Sequence, residues 1–129
     1  MKKFTRIFIL LVSIVIFSSP SYSQWTELIE STNVDTFYVD YDRIRKHDGY
    51  VYFWDLVNYL KPTSLGDLSS KVYNQGDCKL FRFKRLSYVH HKQPMGQGTG
   101  ASNSPKNPEW RYPPPNSVDE FMLKSVCSR

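Results

Sequence analysis

Between Tyr50 and Leu60 the chain reads Tyr-Val-Tyr-Phe-Trp-Asp-Leu-Val-Asn-Tyr-Leu, eleven residues with no glycine and no proline. Seven of them are aromatic or β-branched. Such side chains lose rotamer freedom in a helix and pack well on a pleated sheet, so the run predicts a strand. It is long enough to cross a whole sheet. Alternation puts Val51, Phe53, Asp55 and Val57 on one face and Tyr52, Trp54, Leu56 and Asn58 on the other. A chain that contains this strand must supply neighbours for both of its edges.

The neighbours are legible on either side. Asp48-Gly49 precedes the run, and Asp-Gly between two strand-like segments signals a two-residue hairpin. Upstream, Trp25 to Glu30 and Thr36 to Tyr41 read as strands separated by a turn at Ser31 to Asn33. Downstream, Lys61 to Asp67 carries Pro62 and Gly66 and reads as a loop. Ser69 to Tyr73 and Lys79 to Tyr88 are further strand candidates. In the second of these Phe81, Phe83, Arg85 and Ser87 alternate with Leu80, Arg82, Lys84 and Leu86, which suggests a face partly in water. Pro94 to Asn116 holds six of the eight prolines and three of the six glycines. That density disfavours helix interiors and central strands, and predicts one long ordered loop with Trp110 as its anchor. Ser117 with Glu120 three residues on is a capping box. It predicts a helix from about Val118 to Val126.

The N-terminus carries a separate signal. Lys2, Lys3 and Arg6 precede an uncharged apolar run, Ile7 to Phe17, and then Ser21-x-Ser23. A basic start, a short apolar centre and a small-x-small end predict a secretory signal peptide over residues 1–23. The apolar run is shorter than the ~20 residues a membrane span needs. The mature part, residues 24–129, is one domain. Its 14 basic and 12 acidic residues nearly balance, so much of the whole-chain charge of +5 belongs to the export signal. A concentrated basic footprint is missing, and a nucleic-acid ligand is not expected. No cysteine stands near the cleavage point, so no lipid-anchoring cysteine is expected there. The mature protein is expected in the periplasm or secreted, with surface association as a further outcome.

Cys78 and Cys127 are the two cysteines. In an exported chain an even count favours a disulfide. Closing a loop of about 50 residues is worth roughly 4 kcal/mol in the loop-entropy picture.

Catalytic sets are hard to find. There is no Gly-x-Ser-x-Gly elbow and no phosphate loop; Gly96-Gln97-Gly98-Thr99-Gly100 lacks the helix and Lys-Ser/Thr that such a loop needs. His90 and His91 are adjacent, so on a strand they point to opposite faces and cannot readily share a metal. Asp40, Asp42 and Asp48 have the spacing of a polar turn. The chain is read as no enzyme, with no metal and no cofactor. One surface feature stands out. Lys79, Arg82, Lys84, Arg85 and Lys92 make a basic run suited to an acidic ligand such as a sulfated glycan, lipid head groups or an acidic protein tract. The sixteen aromatics among the 106 mature residues are expected mostly in the core, and any left exposed would serve binding.

Taken in order, Trp25, Phe37-Tyr38-Val39-Asp40, the Val51 to Tyr59 run, Ser69-Ser70-Lys71, Asp77-Cys78, Met95-Gly96-x-Gly98, Trp110, Pro115, Ser117, Glu120 and Val126-Cys127 resemble the surface-adhesin protein E family of small exported bacterial proteins. The likeness covers essentially the whole mature chain. It implies a mainly β α+β fold: a twisted antiparallel sheet of about five to six strands, one C-terminal helix and one disulfide, Cys78 to Cys127. It also implies a non-enzymatic protein that binds host matrix or other extracellular macromolecules. The expected contact elements are the basic strand and the loop bearing Met95, Gly96, Gly98 and Trp110. An extracellular or envelope protein, or an acidic glycan, is the expected partner, and homodimer formation is a second expectation. A periplasmic envelope accessory protein is the rival reading.

Overall fold

The structure is a computed structural model that describes residues 25–30 and 35–129. The expected signal peptide and the turn at Ser31 to Asn33 lie outside the described residues. Among the described residues seven strands form one antiparallel sheet: β1 (Thr26–Glu30), β2 (Thr36–Val39), β3 (Arg45–His47), β4 (Tyr50–Asn58), β5 (Ser69–Asp77), β6 (Arg82–His91) and β7 (Gly100–Asn103). Their order across the sheet is β1-β2-β4-β5-β6-β7, and β3 pairs with the start of β4. Among the described residues one α-helix, α1 (Val118–Cys127), follows the sheet.

The long aromatic run is the central strand. β2 pairs with its second half and β3 with its first, and the 3-10 turn Tyr41–Arg43 fills the notch between them. The Asp48-Gly49 hairpin forms as expected, with His47 facing Tyr50 across the ladder. Asp48 and Gly49 both have positive φ, 50° and 81°, which suits the right-handed twist of the two strands.

One face of the sheet is covered and the other is mostly open. Val51, Phe53 and Phe83 point at α1 and form the core with Val39, Met122, Leu123 and Val126. The helix starts as its capping box requires: the Ser117 hydroxyl accepts the Glu120 N–H at 3.1 Å. Glu120 in turn accepts from the N–H of Asn116, one residue ahead of the cap. At its other end the disulfide Cys78–Cys127 fastens the helix to the turn after β5, with Cα atoms 5.7 Å apart.

Gly76 on β5 sets how closely the helix approaches. A Cβ there would lie 2.8 Å from Val51 Cγ1 and 3.0 Å from Leu123 Cδ1. Gly76→Ala is therefore expected to destabilise the domain by about 1–3 kcal/mol through overpacking. Chemical denaturation checks this; an unchanged midpoint would mean that the helix is not seated as described.

Three features differ from the sequence reading, each for a local reason. The strand expected from Lys79 starts at Arg82, because residues 78–81 turn. The Asp77 carboxylate holds that turn, accepting the Leu80 N–H at 3.1 Å and Arg82 Nε at 3.0 Å. β5 runs on to Asp77 beyond the expected Tyr73. The Pro/Gly segment is not one loop: it contains the 3-10 turn Pro94–Gly96 and the edge strand β7, and Arg111 makes a bridge with Phe83.

Candidate binding surface

A bulge in β6 decides which side chains share a face. Tyr73 pairs with Ser87 and Asn74 with Arg85, so Leu86 is the extra residue. Simple alternation through Leu86 therefore fails: Arg85 lies on the helix side with Phe83, and Ser87 on the opposite side. The expected basic run is divided between the faces by the alternation that precedes the bulge. Arg82 and Lys84 point to the open outer face. Arg85 reaches Asp119 at the start of α1, 3.5 Å away. Lys79 is in the turn. Lys92 lies beyond the strand end, where it pairs with Asp67 at 3.0 Å and donates to the carbonyl of Leu65.

The expected loop is divided as well. Met95, Gly96 and Gly98 are fastened to the sheet near its Asn58–Ser69 end. Asn58 accepts the Met95 N–H at 2.8 Å, and Ser69 Oγ accepts the Gly96 N–H at 2.9 Å. Leu56, on the outer face of β4, is buried beneath this turn. Trp110 belongs to the opposite end of the sheet. The Arg111–Phe83 bridge brings the chain back across β6 and lays the indole over the outer face.

There Trp110 meets both outer cations. The Arg82 guanidinium lies 4.1 Å from its ring centre and the Lys84 ammonium 4.4 Å. Arg82 is also held by Asp77 at 3.0 Å. Tyr50 lies 5.8 Å from Trp110. Further along, Trp54 and Tyr73 are 4.9 Å apart, and Tyr52 stacks on Tyr73 at 6.1 Å. All these rings are half-buried, leaving part of each in water. The row Arg45, Tyr52, Gln75, Lys84 crosses four strands in direct register. Lys71 is on the same face, and its pKa is lowered by partial burial and by the charge of Arg43. The outer face thus alternates rings with cations. The sequence reading found Arg82, Lys84 and Trp110. It missed Arg45, Tyr50, Tyr52, Trp54 and Tyr73 as members of one surface, although the period-two pattern of β4 was its available signal.

The remaining polar groups have structural roles. Asp40 is buried and accepts from the N–H of Asp42, with Arg43 Nε 2.9 Å away. Asp48 sits in the hairpin, 3.1 Å from His47 Nε2. His90 Nδ1 and Ser70 Oγ are 2.6 Å apart, and Tyr59 donates to that hydroxyl, but Ser70 is only 2% exposed. His91 is on the other face against the Gly98 carbonyl, 3.3 Å away. Among the described residues no group of three or more His, Cys, Asp or Glu is placed to hold a metal ion. Asp55 is on the helix side, 8% exposed, and accepts from Asn74 Nδ2 at 2.6 Å. Burial pushes its pKa up to about 7, against the pull of Asn74 and Arg85.

A single sheet, backed by a disulfide-fastened helix on one side and bearing rings and cations on the other, has the form of a small scaffold that presents a sheet face. A family model described as surface-adhesin protein E matches residues 25–128, and the chain belongs to that family. It is similar in fold to solved structures of Haemophilus influenzae protein E. A second crystal form of that protein aligns with a TM-score of 0.69 at 17% identity, covering 84% of this chain and 91% of that one. Protein E from non-typeable Haemophilus influenzae aligns with a TM-score of 0.65 at 17% identity, covering 85% and 79%. No curated protein sequence matches this chain at a significant level.

Proposed function

We propose that the chain is an exported, non-enzymatic binding protein that engages acidic extracellular macromolecules through the outer face of its sheet. The observation that carries this reading is Trp110 packed against both Arg82 and Lys84, on a face that is not covered by the helix. Among the described residues Arg45, Lys71 and Lys84 have no carboxylate within ion-pair distance, so their field is not cancelled locally. Rings packed against cations combine apolar contact area with charge, as binding surfaces do. Family membership supports the adhesin-like class, and the basic start of residues 1–23 supports export.

Charge placement makes the reading testable. Arg45→Ser with Lys84→Ser should weaken binding to immobilised heparin or polyglutamate by about tenfold at low salt, and raising the salt should weaken the wild type similarly. Arg85→Ser with Lys92→Ser removes the same charge from elsewhere and should change binding little. Equal losses from the two pairs would mean that net charge, not this face, governs binding.

A second reading rests on β7. It is exposed along its whole length and forms one edge of the sheet. Such an edge can pair with another strand, as in an envelope accessory protein or a homodimer. Sedimentation at high concentration decides: a strict monomer removes homotypic pairing.

A further inference from the structure

The outer face contains a more specific feature than charge. The 3-10 turn and the start of β3 stand beside the Trp54–Tyr73 ring pair and leave an open groove of about 360 Å³, lined by Asp42, Arg43, Ile44, Arg45, Trp54 and Tyr73. Its floor is aromatic: the two rings meet at 4.9 Å and 43°, and Tyr52 extends them at 6.1 Å and 23°. Its rim is polar and of mixed sign.

We propose that this groove holds sugar units of an acidic polysaccharide, stacked on Trp54 and Tyr73, with the anionic groups of the chain directed to Arg45 and on to Lys84. The proposal rests on the outer face being the contact surface and adds the chemistry of its ligand. A pyranose ring has an apolar C–H face and a polar rim. The face suits an indole or phenol ring, where dispersion and water release act over a flat area. The rim suits the groove's mixture of donors and acceptors. Arg45 donates to sulfate or carboxylate, and Asp42 accepts from a hydroxyl.

Other occupants fit less well. An acidic peptide answers the cations but offers the rings no flat apolar face. A second copy of this chain would bring Arg45, Lys71 and Lys84 against themselves. Beyond the groove the same face carries further rings: from Trp54, β4 leads to Tyr50 over roughly 13 Å, the rise of four strand residues, and Trp110 lies against Tyr50. A chain ligand of several sugars therefore meets rings and cations along its length.

The test compares a size-defined heparin oligosaccharide with polyglutamate of equal net charge, by titration calorimetry on the mature protein. At about 0.15 M salt the oligosaccharide is expected to bind about tenfold tighter. Trp54→Leu and Tyr73→Leu should each reduce its affinity about tenfold and leave polyglutamate unchanged. Trp54→Tyr, which keeps a flat ring, should retain most of the affinity. Because a ring-to-leucine variant can lose fold, Arg45→Ser, at an exposed position, is the second variant; it should weaken the oligosaccharide too. Equal binding of the two polymers, with ring variants indistinguishable from wild type, overturns the glycan proposal and leaves the charge reading standing. Polyglutamate binding tighter identifies an acidic peptide ligand and overturns it as well. No binding of either polymer overturns both readings.

Discussion

Removing the Cys78–Cys127 disulfide, by reduction or by Cys78→Ala with Cys127→Ala, is expected to lower stability by about 4 kcal/mol. The bond spans 49 positions, so its loss frees a long loop in the unfolded chain. It also unfastens the end of α1 that carries Val126, a fully buried core residue. A domain of this size has only ~5–15 kcal/mol in total, so the loss is a large share. In melting temperature it amounts to roughly 15 °C or more. Thermal unfolding with and without reductant measures it. A change of only a few degrees would mean that helix packing alone holds the C-terminus.

The second large effect depends on pH and comes from Asp55. Its folded pKa of about 7 stands above the unfolded carboxylate value of 3.8. A raised carboxyl favours the native state fully only below the unfolded pKa, and that contribution is lost as pH climbs through the folded one. Between pH 5 and pH 8 this group should therefore remove about 2–3 kcal/mol of native stability. Asp55→Asn keeps an oxygen for the Asn74 amide and has no proton to lose. It should stabilise the domain at pH 8 and flatten the slope relative to wild type. The difference between the two proteins isolates the contribution of Asp55 from every other group in the domain. If wild type and variant lose stability in parallel as pH rises, Asp55 is not buried as an acid. The cause is plain in the packing: alternation along β4 sends Asp55 to the helix face, where Arg85 already answers Asp119.

Local signals in the sequence were enough for much of this fold. The aromatic run became the central strand with its predicted faces. Asp48-Gly49 made the hairpin, Ser117 with Glu120 began the helix, and the two cysteines joined. These features depend on side-chain period, turn chemistry and chain closure, all readable within a few residues or by counting. The bulge at Leu86 was not readable. Nothing in Arg82 to Tyr88 marks an inserted residue, yet one extra position moves Ser87 to the face opposite Phe83 and Arg85. β7 was equally hidden. Gly100-Ala101-Ser102-Asn103 has no strand propensity and is a strand because β6 offers it an edge. The surface itself was half legible. Arg82 and Lys84 share a face by spacing, but Trp110 reaches them from far along the chain through a bridge that no local pattern encodes.

The claim that the outer face is the contact surface is tested most directly by a chemical-shift map of the labelled mature protein, with the heparin oligosaccharide added stepwise. Shifts are expected at Tyr52, Trp54, Tyr73, Lys84 and the Trp110 indole, with little change along α1. Shifts centred on Lys92 and Asp67, or on the helix, would place binding elsewhere and contradict it.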